Sequence, residues 1–521
     1  MTLVLASTQA LGLLATYLLF TTIYNKLIRK QLFPFPLPPS PPSDPLIGHL
    51  RKILPEHAEH TFGEWAKKYG EVTYLNFFGR HVVVLNSREA AYELLEKRGA
   101  LYSDRPDMVI WDIMGWGNGL TFLHYGERFR RQRKLMNSHL MAKACRQYQP
   151  VQLENAHILV GNLMESKGEY AHTLTHFSTA IIMQITYGHQ ILSDGDEYVT
   201  LATNAKVSGE EAGVPGGTLV DYFPILQYLP SWFPGTHYAN IARKWQNHVQ
   251  RFRNIPFESV VNQVAEGTSK PSFLSNMLER FNGRTLSDEE REDLKDAAAV
   301  MYGAGAGTTS ATLGMFFLAM LDNPECQKLA QAEIDRVVGK DRLPTFDDHT
   351  SLPYVECLAQ ELLRWNPIIP LVRLTHRSIQ DDVYKGMFIP KGSLIYPNVL
   401  AMSLDENYSN PTAFNPSRFM PKSDGGGGEP PFPSAFGFGR RICPGRHLAY
   451  ASIWIAVTTI LSTLNITRKK DEHGNNIPLR LEFSSGITNH PKPVPCNISP
   501  RSEAAAHLVQ AAIRTIQIQT I

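Results

Sequence analysis

From residue 287 to 321 the sequence keeps one uninterrupted helical pattern, yet at its middle, in "YGAGAGTTSA" from Tyr302, it places glycine at every second position. A helix of that length spans about 50 Å, so the fold must be threaded on it. Each glycine costs roughly 1 kcal/mol against alanine in a helix interior, and three within five residues require a compensating reason. The flanks still specify helix. Ser287 and Glu290 stand at capping-box spacing in "SDEEREDL", the first turn is acidic, and "LGMFFLAML" runs on until "DNPE" stops it. A helix thinned at its centre lets something bulky approach its backbone.

Bulk properties narrow the choice of function. The 521 residues allow one large domain or two to three smaller ones. Lys and Arg number 51 against 49 Asp and Glu, a net charge of +2, and no basic stripe is interleaved with aromatics, which argues against nucleic-acid binding. Cys145, Cys326, Cys357, Cys443 and Cys496 are far apart with no CxxC pair, so neither a disulfide framework nor a zinc cluster is expected. Any chemically active cysteine works alone.

Residues 1–25 carry no charge, and "LVLASTQALGLLATYLLFTTIY" would reach about 33 Å as a helix, enough to cross a bilayer. This reads as a transmembrane anchor rather than a cleaved signal, because no basic n-region or cleavage site accompanies it. Lys26, Arg29 and Lys30 follow and keep the remaining chain cytoplasmic. Residues 26–48 form a basic, proline-rich linker, 49–500 the catalytic domain, and 501–521 a C-terminal tail. In the body, "EVTYLNFF" and "HVVVLNS" read as a hairpin around Gly79 and Arg80, "DVYKGMFIP" and "SLIYPNV" as short strands, and nearly all else as helix. The tract "KSDGGGGEPP", residues 422–431, reads as a flexible surface insertion.

The chemistry concentrates in "FGFGRRICPGRHLAY", from Phe436. Its glycines permit tight turns, and Pro444 suits the first position of a helix that would begin just after Cys443. A helix N-terminus and Arg440, Arg441 and Arg446 would stabilise a thiolate, which is both nucleophile and soft metal ligand. A buried structural cysteine beside a glycine-rich turn is the alternative, and no catalytic His and Asn can be nominated for a cysteine hydrolase.

Phe436, Gly439, Arg441, Cys443 and Gly445 match F-x-x-G-x-R-x-C-x-G, which resembles the haem-ligand loop of the cytochrome P-450 monooxygenases. Glu361 and Arg364 in "ELLR", Arg418 in "NPSRF" and the glycine-rich helix occur in the family's order. Some stretches are similar to microsomal members of fungal secondary metabolism. The resemblance implies a mainly α fold with small β-sheets behind one transmembrane helix, a haem b (iron protoporphyrin IX) ligated by Cys443, and a structural ion cluster of Glu361, Arg364 and Arg418. It puts Ala304 and Thr308 over the distal face, Thr308 matching the alcohol that helps protons reach dioxygen. Gly307 stands where an acid is usual, which would leave proton delivery to water or substrate and raise the chance of desaturation, coupling or rearrangement. Arg133, Arg373 and Arg441 resemble partners of the haem propionates, while Phe129 replaces a frequent tryptophan and cannot donate an N–H. By family position the substrate contacts are Val109, Ile110, Trp111, Met114, Ala304, Ile369, Leu371, Val372 and Ile487, a mostly apolar set suited to a lipophilic molecule.

No flavin or nicotinamide fingerprint is present, since "GAGAG" lacks a third glycine and a preceding strand. The implied electron source is an NADPH-dependent cytochrome P-450 reductase in the endoplasmic reticulum membrane, assisted by cytochrome b5. The implied activity is hydroxylation or epoxidation. A reductase-independent isomerase or peroxygenase and a non-catalytic haem sensor are the other readings.

Overall fold

The glycine-bearing pattern forms a single helix, Asp288–Asp322, in the computed structural model of the chain, which describes residues 35–520 apart from 54, 55, 167, 192–194, 214, 215, 282, 283 and 485. The expected anchor over 1–25 and the first part of the linker lie outside the described residues. Ser287 closes the helix as its sequence requires: its Oγ accepts from the Glu290 amide at 3.3 Å, and the Glu290 carboxylate accepts from the Ser287 amide at 3.0 Å. This is the one described helix long and apolar enough to span a membrane, yet 72% of its apolar window is buried within the protein. It is therefore the axis of the domain, apolar on most of its surface because most of that surface is covered.

Helix Tyr170–Tyr187 runs along this axis, Tyr170 stacking on Phe317 at 4.2 Å and Tyr187 meeting Tyr302 edge-on at 5.9 Å. Helices Glu127–Leu140, His237–Glu266, Pro353–Trp365 and Arg446–Thr463 also pack against it. Near its N-terminal end Arg128 and Arg131 reach the buried Asp293 at 2.7 and 2.9 Å, and Arg253 pairs with the buried Asp296.

The sheets are small, as expected. Val72–Phe77 and Arg80–Leu85 pair antiparallel around a turn at Phe78 and Gly79, both with positive φ (49° and 87°), one residue earlier than the sequence reading. Arg80–Leu85 then pairs in parallel with Leu394–Pro397, which pairs antiparallel with His376–Arg377. Alternation divides the hairpin between two cores: Val82 and Val84 join Phe62 and Tyr396, while Val83 and Leu85 join Leu95, Tyr102 and Ile395.

Three segments outside the main helices are tied closely to the body. The described part of the linker is held by hydrogen bonds. Pro36 and Pro39 carbonyls accept from the Phe388 and Tyr74 amides at 2.7 and 2.9 Å, and buried His49 donates to the Pro41 carbonyl while accepting from the Asn76 amide. A proline-rich strand offers acceptors without competing donors, which suits it to an edge with spare N–H groups. The glycine tract is not a loose insertion. The Gly427, Gly428 and Glu429 amides donate to Ser417, Met420 and Arg418 carbonyls at 2.8–2.9 Å, and a Cβ at Gly426 would lie 2.2 Å from the Met420 oxygen. Glycine is there for close approach. The expected tail contains an ordered helix, Glu503–Thr520, introduced by Arg501, which pairs with Asp335 at 2.6 Å. Its Val509 is buried, and Ile513 lies over Gly161, where a Cβ would come within 2.3 Å of it.

Glu361, Arg364 and Arg418 do converge, almost wholly buried. Arg364 Nε donates to Glu361 Oε2 at 2.7 Å and Arg418 Nε to Oε1 at 3.0 Å. The sequence reading missed a fourth member. Glu429, supplied by the glycine tract, accepts from Arg418 Nη1 at 2.8 Å. Two carboxylates thus balance two guanidiniums, and carbonyls of Ser403, Ser409, Pro411 and Ala413 take remaining donors.

Candidate active site

Within the buried axial helix, Gly303 and Ala304 are exposed and Gly307 and Thr308 half-buried. Their i, i+1, i+4, i+5 spacing makes one face, and that face is left uncovered. The three glycines differ in what they do. A Cβ at Gly307 would meet nothing within 4 Å; at Gly303 it would make ordinary contact with Phe252 and Trp116; at Gly305 it would fall 2.7 Å from Ile182 of the Tyr170–Tyr187 helix. Gly307 leaves room on the open side, whereas Gly305 lets two helices approach behind it. Thr308 Oγ1 donates to the Ala304 carbonyl at 3.0 Å.

The Cys443 loop is shaped by backbone need. Gly437 and Gly439 have φ of +78° and +55°, and a Cβ on Gly439 would lie 2.0 Å from the Leu95 carbonyl oxygen, so only glycine fits. Cys443 N donates to the Phe436 carbonyl at 2.9 Å, and Arg133 Nη1 holds the Ile442 carbonyl at 2.6 Å. The helix starts at Arg446 with Gly445 as its N-cap, so Pro444 precedes it rather than occupying its first position. Behind the loop, Gln152 donates to the Leu448 carbonyl and to Ser452 Oγ at 3.0 and 2.8 Å. Burial pushes the Cys443 thiol above its ordinary range, against the N–H groups of Gly445 and Arg446 and the charges of Arg133 and Arg446. The expected thiolate stabilisation is present but is outweighed by desolvation in the protein alone. A metal cation bound to the sulfur would reverse that balance.

Around this loop lie cations without carboxylates of their own. Arg441 donates to the Ser103, Leu120 and Leu123 carbonyls at 2.8, 3.2 and 2.7 Å, its guanidinium 3.9 Å above the Phe129 ring. Phe129 thus supplies a cation–π face where a tryptophan would offer a donor. Arg105, 6% exposed, donates among the described residues to the Thr121, Leu374 and Thr375 carbonyls. Burial, followed by the charge of Arg105, lowers Arg441 to about 8; burial lowers Arg105 to about 10. Buried His376 donates to the Tyr102 carbonyl at 2.8 Å and is held at about 3 by burial and by Arg105, so it is neutral. The carboxylate that acts on both Arg105 and Arg441, Asp104, is engaged by Arg377 at 2.5 Å and by the Tyr125 amide.

The cytochrome P-450 family model matches residues 38–497. The chain belongs to the cytochrome P-450 family. It is similar to a cytochrome P-450 monooxygenase of Armillaria gallica, 37% identical over 488 residues that cover 91% of this chain and 94% of the relative. It is also similar to the monooxygenase claR of Ampulloclitocybe clavipes, 38% identical with 96% and 92% covered, and to the tryptamine 4-monooxygenase of Psilocybe cyanescens, 36% identical with 90% and 93% covered. This P-450 is accordingly an oxidoreductase of the monooxygenase type. Its family uses a haem-thiolate cofactor, dioxygen, a redox partner and lipophilic substrates. The residues present fit that cofactor. Guanidiniums that end on carbonyls suit anionic carboxylates, Gly307 adds no side chain to the open face of the axial helix, and Cys443 stands in the matching loop.

The sequence-nominated residues fall into groups. Val109, Ile110, Trp111, Met114 and Ile487 meet in one apolar cluster with Trp245 and Val249, and Trp116 packs against it. Leu371 instead joins the core of the first sheet beside Phe62, half-buried Val372 packs on the opposite core with Leu95, and Ile369 is half-buried in neither. Arg373 is corrected. Rather than joining Arg133 and Arg441, it pairs with buried Glu59 at 3.4 Å, because the preceding segment is drawn into the sheet core. Arg105, His376 and Phe252 were missed. A charged residue in "SDRPD" and a histidine starting a two-residue strand carry no local signal of that role.

Proposed function

We propose that this P-450 holds haem b through the Cys443 sulfur within the loop of Phe436, Gly439, Arg441 and Gly445. Arg133, Arg441, Arg105 and His376 would face the propionates, the last two in place of Arg373, and Ala304 and Thr308 would line the opposite side. When bound, the cofactor supplies oxygen activation from dioxygen and two electrons. The chain's residues do the remainder. The N–H groups of Gly445 and Arg446 orient the sulfur, the arginines neutralise carboxylates, Thr308 holds a proton at its hydroxyl oxygen, and the apolar cluster of Val109, Ile110, Trp111, Met114 and Ile487 excludes water. The observation that carries this reading is that buried Arg105 and half-buried Arg133 and Arg441 donate to carbonyls and have no carboxylate partner among the described residues.

Electrons come from NADPH through a flavoprotein reductase, with cytochrome b5 as an accessory donor. A groove of about 570 Å³ lined by Arg130, Arg133, Lys134 and Arg440 suits acidic carriers. The reaction is hydroxylation or epoxidation of a lipophilic small molecule in secondary metabolism. The name of one relative gives tryptamine as its substrate, which is consistent with a compact aromatic-bearing molecule. The chain works at the endoplasmic reticulum membrane. Ile225, Tyr228 and Trp232, 66–79% exposed on neighbouring turns, support an apolar contact there in addition to the N-terminal anchor.

Reduced protein plus carbon monoxide tests the sulfur ligand: the red-shifted absorption is expected, and its persistence in Cys443→Ser would end this reading. Gly307, with no carboxylate at that position, favours a second one, a reductase-independent peroxygenase or isomerase, or an enzyme whose outcome is desaturation or coupling. Turnover with hydroperoxide but none with NADPH and reductase would select the first two of these. An unchanged product yield per NADPH in Gly307→Asp would dismiss the missing acid as their cause.

A further inference from the structure

The wall behind Thr308 is as specifically built as the face in front of it. Ser178, on helix Tyr170–Tyr187 and 3% exposed, brings its Oγ within 2.6 Å of the Ala306 carbonyl, against 3.1 Å from the Leu174 and Thr175 carbonyls of its own helix. With one proton to give, the hydroxyl gives it to Ala306. A serine inside a helix ordinarily satisfies itself one turn back; this one reaches across to the neighbouring helix. One turn further, Ile182 occupies the place that a side chain on Gly305 would take, 2.7 Å from the ideal Cβ.

At about 100° per residue, Ala306 lies on the side of the axial helix opposite Ala304. Ser178 and Ile182 therefore grip the back of the turn whose front bears Thr308. On that front, Thr308 donates to the Ala304 carbonyl and Thr312 to the Thr308 carbonyl at 3.1 Å, while Ser310, on the back one turn after Ala306, has its Oγ 2.9 Å from the Gly307 carbonyl and 3.3 Å from that of Ala306. Position 307 has no side chain to share the work, so the placement of the Thr308 hydroxyl follows from the placement of this one turn.

We infer that Ser178 is a positioning residue for the oxygen chemistry. Its bond to Ala306, with Gly305 seated on Ile182, fixes the tilt and depth of residues 304–308 and hence the point from which Thr308 presents its hydroxyl. The inference rests on the reading of Thr308 as the proton-relaying alcohol.

The test uses the reductase-coupled holoenzyme. Ser178→Ala should raise hydrogen peroxide released per NADPH about 2- to 10-fold, the range set by one buried hydrogen bond, with KM and the reduced carbon monoxide spectrum unchanged. Ser178→Thr, which keeps the hydroxyl, should restore the parent ratio. Amide exchange at Ser310, the helical partner of the Ala306 carbonyl, should quicken in Ser178→Ala without a matching change along the rest of the axis. Combined with Thr308→Ala, the substitution should add nothing to the peroxide yield. A parent peroxide ratio in Ser178→Ala, or an additive double variant, overturns the inference. If Thr308→Ala alone leaves peroxide unchanged, the alcohol reading has failed and the inference falls with it, a case recognised because Ser178→Ala still quickens exchange at Ser310.

Discussion

Two groups of arginines, one fully buried and one partly so, are completed in different ways. Arg364 and Arg418 meet Glu361 and Glu429, with positive and negative charges equal in number and spare N–H groups donated to carbonyls. Arg105, buried, and Arg441, half-buried, end on carbonyls with no carboxylate partner among the described residues, and Arg133 near them is bound to the Ile442 carbonyl. A carbonyl satisfies a donor without cancelling its charge. The first group is finished by the chain and is architecture; the second has positive charge left for something the chain does not encode. The same contrast recurs on the axial helix, where Gly305 is filled by Ile182 and Gly307 is open.

Breaking the finished group should have the largest effect. Arg418→Ala strips buried Glu361 and half-buried Glu429 of a shared partner and should destabilise the fold by about 3–5 kcal/mol, read by urea unfolding with and without haem. If both forms lose little, the group is not self-completed. Removing a cation from the open group should act elsewhere. Arg441→Gln should leave the haem-free chain about as stable as before, because an uncancelled charge is relieved, while haem titration shows affinity lower by about 10- to 100-fold, the worth of charge-assisted bonds. Equal losses in both measurements would erase the distinction. On the axial helix, Gly305→Ala should cost about 1–3 kcal/mol through overpacking against Ile182, whereas Gly307→Ala should be neutral or stabilising by up to about 1 kcal/mol.

The smallest effect at neutral pH concerns His376. Its proton affinity in the folded protein, at about 3, lies below the ordinary histidine value, so the unfolded chain takes up a proton that the folded chain refuses as pH falls below about 6.5. Stability should decline between about pH 6.5 and 3, and His376→Gln should remove that part of the decline. Anionic groups bound beside Arg105 would raise the affinity of His376 and flatten the slope, which unfolding curves at stepped pH can compare for the loaded and haem-free forms.

Much of this was legible in the sequence wherever the signal is local. The capping box at Ser287, the hairpin before Arg80 and the Cys443 loop follow from residues within a few positions of one another. Glu361 and Arg364 share one helix face, and Arg418 was reached through the family pattern. What escaped depends on distant segments converging. Glu429 was hidden in a tract whose four glycines read as slack, although their lack of side chains is what allows the close seam with residues 417–420. Arg373 looked equivalent to Arg441 until the sheet core drew its neighbours away. Gly305 and Gly307 are indistinguishable in the string "GAGAG" and differ only in what stands across from them.

The helix Glu503–Thr520 has a practical corollary. Ile513 is seated in the notch at Gly161, on the helix whose Gln152 steadies the segment following Cys443. Trimming the protein at the end of the family match would therefore strip the cover from an oily stripe and leave a surface prone to sticking to its copies. An affinity handle appended after the final residue needs a spacer, so that its bulk does not pry that cover loose.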